Sequence, residues 1–284
     1  MKRFFYSGCS FTKYGYPTWG DIIAYDLITT GKIDYSVNLA SGGGCNYYIY
    51  HSFLRADAKY KFTDDDIMGV CWTTPWRHSL LCKFSKDSEE LDLDTVWQTH
   101  GNVVNHPIWP HINNHLDYIN TNAYLVERTV SSMLALNKMY DFSFQIKMPT
   151  FEPFLDGELD LEIDKDQDLN DYIMQGYNKF LGVPSFEYNY DRHRPPHLWL
   201  FEGHPTIKQH LSQARKLYDI SDDTITEMTR LDVIFNQAMN SIVKNPSDKP
   251  DFHDWQNTVF SKELEKILTT PGFNRFNPWD NFLV

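Results

Sequence analysis

Side chains that could carry out acyl transfer follow four separate apolar segments of the sequence. Ser10 follows the first segment, a glycine-rich loop around Gly43 follows the second, and His204 follows the last. Thr73 and Arg77 follow the third segment. A hydroxyl, an imidazole and backbone N–H groups are the parts of a site in which a serine attacks a carbonyl carbon. These residue types therefore indicate a serine nucleophile with an oxyanion site, provided that the fold brings the four loops together.

The first part of the chain alternates between strand and helix patterns. Short apolar segments at 2–7, 33–39 and 66–73 predict strands, and residues 18–30 and 45–57 have the apolar spacing of helices. Such alternation is typical of a parallel sheet covered by helices. Because the carboxyl ends of parallel strands lie at one edge of the sheet, we expect the loops that follow them to converge there.

The rest of the chain adds helices, further strands and one irregular segment. Strands are predicted at 142–148 and 197–201, which brings the parallel sheet to five strands. Helical spacing of apolar residues predicts helices at 116–139, about 170–181, 205–218, 222–243 and 261–269. Residues 80–115 have no regular pattern and are expected to form an insertion or a cap.

These elements predict an α/β fold with three α/β/α layers. The α/β domain is expected to span residues 1–220, with a helical insertion at about 78–140. Residues 221–284 are expected to form a C-terminal helical extension that packs on this domain. The chain has 284 residues, which is long enough for one large domain with such an extension.

Two of the loops resemble the catalytic blocks of the SGNH/GDSL hydrolase superfamily, and the resemblance spreads over most of residues 4–215. Residues 8–12 (GCSFT) are similar to the turn after the first strand that carries the family's nucleophilic serine. His204, followed by Pro205, is similar to the histidine of the family's Asp-x-x-His-Pro turn. The resemblance implies a flavodoxin-like fold, with Ser10 as the nucleophile and His204 as its general base.

A third loop resembles the family's second block. Asn38, Ala40 and Gly43 have the spacing of that block's asparagine, small residue and glycine. By this resemblance the N–H groups of Ser10 and Gly43 face the oxyanion, and Asn38 belongs to the substrate-binding site. One oxyanion donor can contribute about 3 kcal/mol to the stability of the transition state. A glycine at position 43 also allows the substrate to approach the backbone closely.

Two positions depart from the family's pattern. The third block is normally Gly-x-Asn-Asp, whose asparagine donates to the oxyanion, whereas this chain has CWTT at 71–74. Either the Thr73 hydroxyl supplies that hydrogen bond or the donor is missing. The family's acid lies three residues before the histidine, where this chain has phenylalanine. Glu202, two residues before His204, is expected to orient the imidazole, and Asp191 is a second candidate.

Other side chains near these loops have alternative interpretations. Arg77 is either a surface residue or a ligand for an anionic group of the substrate, and Trp76 either packs against the protein or forms a platform for a sugar. Cys9 is expected to point into the core, away from the direction of Ser10. No metal is expected, because no cysteine or carboxylate at ligand spacing frames the clustered histidines His100, His106, His111 and His115.

Composition restricts the partners and the compartment. The formal net charge of −12 argues against nucleic acid as a partner, because phosphate contacts need clustered Lys and Arg. No segment has the length of a membrane span or the pattern of a secretory signal. The four cysteines show no CxxC pairing. We therefore expect reduced thiols in a cytoplasmic protein.

The sequence thus predicts a serine esterase or acyl hydrolase that needs no cofactor and acts through an acyl-Ser10 intermediate. Its partner would be a small-molecule or carbohydrate ester. Removal of an acetyl group from a carbohydrate is slightly favoured, because aromatic residues make up 15% of the chain and no long apolar cap segment is present. The alternative is a catalytically inactive binding or structural protein of the same fold, which the two departures from the family's pattern favour.

Overall fold

The structure, a computed structural model, describes residues 1–75, 77–84, 94–100, 122–148, 167–187, 204–242 and 258–274. Of residues 78–84, 94–100 and 122–124 only the backbone is described. The strands are β1 (Arg3–Ser7), β2 (Tyr35–Asn38), β3 (Ile67–Trp72), β4 (His78–Phe84), β5 (Asp94–His100), β6 (Phe144–Lys147) and β7 (Phe273–Asn274). The helices are α1 (Trp19–Thr29), α2 (Asn46–Tyr60), α3 (Asn122–Met139), α4 (Gln167–Gly182), α5 (Ile207–Leu217), α6 (Asp222–Ile242) and α7 (Val259–Leu268).

Five strands form one parallel sheet in the order β6-β3-β1-β2-β7. The central strand is β1, in which Phe5 lies opposite Val37 of β2 on one side and Met68 of β3 on the other. Every pairing in this sheet is parallel. The predicted three-layer α/β fold is therefore confirmed.

Alternation along β1 divides the apolar residues between two cores. Phe4 and Tyr6 belong to one buried cluster, together with residues of α1, α5, α6 and α7. Phe5 belongs to a second cluster, with residues of α2, α3 and α4. Successive side chains of a strand point to opposite faces, so the two clusters lie on the two sides of the sheet.

Local sequence signals explain where the helices begin and end. Thr18 and Asp21 form a capping box at the start of α1, and Gly31 follows the helix with a φ of +68°. Thr206 forms a second capping box with Gln209 at the start of α5. The predicted bounds of both helices agree with the structure to within two residues.

The structure corrects two expectations about the strands. Part of the segment 80–115, predicted to be irregular, is regular: β4 and β5 form an antiparallel two-stranded ribbon. The fifth strand of the parallel sheet is the two-residue β7, which the sequence pattern missed. The strand predicted at 197–201 lies outside the described residues.

Gly272 allows β7 to pair with β2 at the edge of the sheet. Its φ is +85°, and a Cβ there would lie 2.4 Å from the Asp34 carbonyl oxygen. We expect Gly272→Ala to lower the free energy of unfolding by about 3 kcal/mol or more, because the methyl group adds a backbone clash to the strain of a left-handed conformation. The matched control is Gly31→Ala, at φ +68° with open space around the added Cβ, which should cost only about 1 kcal/mol. Urea unfolding followed by tryptophan fluorescence gives both values, and equal losses would contradict this account of the edge.

Candidate active site

Ser10 lies in a tight turn directly after the central strand. The Cys9 carbonyl accepts hydrogen bonds from the N–H groups of Thr12 (2.8 Å) and Lys13 (3.0 Å), which closes the turn. Gly8 is required at its start, because a Cβ there would lie 2.2 Å from the Thr12 Oγ1. The exposed fraction of Ser10 is 9%, so the residue is largely buried.

Hydrogen bonds from the side chains of Asn38 and Thr18 support this turn. The Thr12 carbonyl accepts hydrogen bonds from Asn38 Nδ2 (2.8 Å) and from Thr18 Oγ1 (2.7 Å). Asn38 also donates to Asp21 Oδ1 (3.0 Å) and accepts from the Ala40 N–H (3.0 Å). Asn38 is fully buried, and both ends of its amide are bonded to the protein. In the structure this side chain supports the turn that carries Ser10, and binding of substrate by Asn38 stays a prediction.

His204 meets Ser10 across the carboxyl edge of the sheet. Its Nε2 lies 2.7 Å from the Ser10 Oγ, which is a hydrogen-bond distance. The Tyr14 ring stacks on the imidazole, with ring centroids 4.3 Å apart and an interplanar angle of 21°. The Tyr16 hydroxyl donates to the Pro205 carbonyl at 2.6 Å and so fixes the segment that carries His204. Aromatic contacts on this side set the direction from which the imidazole approaches Ser10.

The glycine-rich loop after β2 lies against the turn that carries Ser10. The Ser41 N–H donates to the Gly8 carbonyl at 3.3 Å, and a Cβ on Gly44 would lie 3.1 Å from the same oxygen. Gly43 has a φ of +73°, which favours glycine. Among the described residues, the N–H groups of Ser10 and Gly43 have no hydrogen-bond acceptor in the protein. Both remain able to donate to a bound oxyanion.

Thr73 is held by Asn46, a residue that the sequence analysis missed. Asn46 Nδ2 donates to the Thr73 carbonyl and its Oδ1 accepts from the Thr73 N–H, both at 2.9 Å. The buried Thr73 hydroxyl donates to Met148 Sδ at 3.3 Å. This position differs from the expected oxyanion donor, because the hydroxyl is directed at a sulfur atom below the surface. The signal for Asn46 was its place directly after the glycine-rich loop, at the start of α2.

The cysteines near Ser10, Cys9 and Cys71, are buried. The Cys9 thiol donates to Met148 Sδ at 3.0 Å and has no exposed surface, so the prediction that it points into the core is confirmed. Cys71 is also fully buried. Burial raises the pKa of the Cys71 thiol well above its usual value, and the neighbouring Cys9 raises it further. Neither thiol is exposed to attack a substrate.

The remaining predicted site residues have different outcomes. Arg77 follows β3 in a turn in which its N–H donates to the Thr74 carbonyl at 3.4 Å. Its side chain is partly buried, and its Nε and Nη1 are both buried without a hydrogen-bond partner among the residues that the structure describes. Trp76, Glu202 and Asp191 lie outside the described residues.

No group of three or more potential metal ligands occurs within the described part of the chain. The side chain of His100 is not described, and His106, His111 and His115 lie outside the described residues. None of the helices in the described ranges is long and apolar enough to cross a membrane.

A second histidine, His210, lies in the first turn of α5. It is fully buried, and its Nδ1 accepts a hydrogen bond from the Trp19 N–H at 3.3 Å. Burial is the main reason that the pKa of His210 is lowered to about 3. The charge of Asp21 opposes this lowering of the pKa, and His204 adds to it. The ring is therefore neutral at ordinary pH and couples α5, just after His204, to the start of α1.

His210 should make the stability of the protein depend on pH. Its pKa is about 3 in the folded state and about 6.5 when exposed, so between these values only the unfolded state binds the proton. Stability is therefore lost as the pH falls, by about 2 kcal/mol between pH 7 and pH 5 for this group alone. We expect His210→Gln, whose amide oxygen can still accept from Trp19, to lose correspondingly less over that range in urea unfolding. Equal losses in wild type and variant would show that His210 does not titrate as its burial requires.

Comparison with known proteins adds no family assignment: no protein-family model matches the chain, and no curated protein sequence matches it. The interpretation of the site therefore depends on its geometry.

Proposed function

We propose that this protein is a serine esterase or acyl hydrolase of the SGNH type that acts through an acyl-Ser10 intermediate. The observation that carries the proposal is the 2.7 Å contact between Ser10 Oγ and His204 Nε2, two residues separated by 194 positions in the chain. A serine hydroxyl is a weak nucleophile at neutral pH, and an imidazole at hydrogen-bond distance is its usual activating base.

In the proposed acylation step, Ser10 Oγ attacks the carbonyl carbon of the ester and His204 Nε2 takes the hydroxyl proton. The carbonyl oxygen becomes an oxyanion, to which the N–H groups of Ser10 and Gly43 donate. The intermediate collapses, the bond to the alcohol oxygen breaks, and His204 returns the proton to that oxygen. The alcohol leaves and the acyl group remains on Ser10.

Deacylation repeats these roles with water as the nucleophile. His204 takes a proton from the water as its oxygen attacks the acyl carbon, and the same N–H groups stabilise the second oxyanion. The bond to Ser10 Oγ then breaks, and His204 returns the proton to Ser10. The products are the alcohol and a carboxylic acid, and the enzyme is regenerated without any redox change.

The preferred substrate in this proposal is an acetylated carbohydrate. Tyr14, which is partly exposed, lies beside the His204 ring with ring centroids 4.3 Å apart. An aromatic ring next to a catalytic base suits the apolar face of a sugar. Ser10 is only 9% exposed, which favours a small acyl group such as acetyl.

One observation favours a second candidate, a binding protein of this fold without turnover. Thr73 directs its hydroxyl at Met148 Sδ, so at this position no side-chain donor faces the oxyanion. An enzyme with only two backbone donors has less transition-state stabilisation than one with three. Labelling with a fluorophosphonate probe, which reacts with activated serines, distinguishes the two candidates.

A fluorophosphonate probe should label the wild-type protein at Ser10, because such probes react with activated serines. Ser10→Ala should abolish labelling and lower kcat/KM for 4-nitrophenyl acetate by about 10⁴-fold, and His204→Gln should have a similar effect. Ser41→Ala is the matched control, since Ser41 is a partly exposed serine of the neighbouring loop, and it should label normally. Labelled peptides are identified by mass spectrometry.

A folded wild type that fails to label would sink the enzymatic proposal and support the binding protein. Labelling that persists in Ser10→Ala would place the nucleophile elsewhere. Circular dichroism and the unfolding midpoint establish that each variant is folded before either conclusion is drawn.

The oxyanion role of Gly43 gives a separate prediction. In Gly43→Ala the methyl group strains a backbone at φ +73° and moves the N–H donor, so kcat should fall roughly 10- to 100-fold with a smaller change in KM. Gly42→Ala is the control, because a Cβ at that exposed position would have nothing within 4 Å. Steady-state kinetics with 4-nitrophenyl acetate measures both variants. Equal kcat values for the two variants would remove Gly43 from the oxyanion site.

A further inference from the structure

Arg77 has buried hydrogen-bond donors that no described residue satisfies. Its Nε and Nη1 are buried and have no hydrogen-bond partner in the described part of the chain. The other arginines with described interactions are paired: Arg3 with Asp66, Arg230 with Glu227 and Glu263, and Arg128 with the face of Tyr47. A buried guanidinium N–H without an acceptor is costly, so such groups are normally hydrogen-bonded. Arg77 is therefore an exception that calls for a functional explanation.

Arg77 comes after the strand that is next to β1, the strand that leads to Ser10. It follows β3, which pairs directly with β1 so that Val70 lies opposite Ser7. One residue further on, a Cβ placed on Gly8 would lie 3.1 Å from the Cys71 Cβ. The positive charge of Arg77 acts on Cys71, where it opposes the rise in the pKa of the thiol. Arg77 thus follows the strand that borders the turn carrying Ser10, at the same carboxyl edge of the sheet.

The chemistry of the guanidinium identifies its ligand. Arginine is always charged, and its planar set of donors matches the paired oxygens of a carboxylate or a phosphate. Within the described residues no carboxylate forms an ion pair with Arg77. The chain carries a net charge of −12, so an anionic ligand would approach this site only where a local cation offsets the general repulsion.

We propose that Arg77 binds an anionic group, a carboxylate or a phosphate, of the ester that Ser10 attacks. This inference rests on the proposed function and narrows its substrate class to anionic esters. The anion completes the hydrogen bonds of the buried Nε and Nη1 and fixes the position of the ester relative to Ser10. A neutral ester would leave both donors unsatisfied, so binding would discriminate against it.

The first experiment compares three monoacetylated methyl glycosides that differ only at carbon 6, which carries a hydroxyl, a carboxylate or a phosphate ester. Wild-type protein should release acetate from one of the two anionic compounds with a kcat/KM at least about 10-fold above that of the neutral one. The carboxylate and phosphate arms show which anion is used. Equal rates for all three compounds would overturn the proposal.

The second experiment removes the charge from Arg77. Arg77→Met keeps the length of the side chain and should lower kcat/KM for the preferred anionic ester about 100-fold, with little change for the neutral ester. Arg77→Lys keeps the charge without the planar fork and should fall between the two. Arg215→Met, on the exposed surface of α5, is the matched control for loss of one positive charge and should behave as wild type. An equal loss for neutral and anionic esters in Arg77→Met would show a merely structural role.

A third measurement separates this inference from the proposed function. Sodium phosphate and sodium propionate, compared with sodium chloride at equal ionic strength, should raise the midpoint of thermal unfolding in wild type but not in Arg77→Met. Such protection without fluorophosphonate labelling would sustain the anion site and reject the esterase. Labelling at Ser10 with identical anion responses in wild type and Arg77→Met would sustain the esterase and reject the anion site.

Discussion

The candidate site depends on the buried hydrogen bond from Asn38 to the carbonyl of Thr12. This bond ties the end of β2 to the turn after β1, and Thr18 at the start of α1 donates to the same carbonyl. Asp21 extends the connection, because it accepts from both Asn38 and the Tyr6 hydroxyl. All of these groups are buried, where an unpaired polar atom is costly and a satisfied network is rigid. The turn therefore has one arrangement, and Ser10 has a fixed position.

The rigid turn requires an equally well-placed partner, and the fold supplies it from the distant end of the chain. His204 is held by the stacked ring of Tyr14 and by the bond from Tyr16 to the Pro205 carbonyl. Both tyrosines come from the segment between β1 and α1, so Ser10 and His204 are positioned by one short stretch of chain. The buried cluster on one face of the sheet packs that stretch against α5.

The sequence predicted what local patterns determine. Strand β1 and helix α1 have strong apolar patterns and clear boundaries. Gly8 marks a place with no room for a Cβ, and Gly43 marks a left-handed backbone that favours glycine. It missed β7, whose two residues carry no periodicity. It also missed the structural roles of Asn38 and Asn46, since whether a polar side chain is buried and bonded depends on tertiary packing. The pairing of Ser10 with His204 was predicted only from a resemblance between short blocks.

The polar groups around Ser10 fall into two sets, and the division determines what the site can bind. Asn38, Asn46 and Thr73 are bonded to the protein. Within the described ranges, the groups left without a partner include the N–H groups of Ser10 and Gly43 and the Nε and Nη1 of Arg77. All of these groups are donors, and such a surface favours a ligand with negative charge. An oxyanion that develops during attack and a permanent anion on the substrate both meet this requirement, so one physical constraint underlies both the proposed reaction and the proposed substrate class.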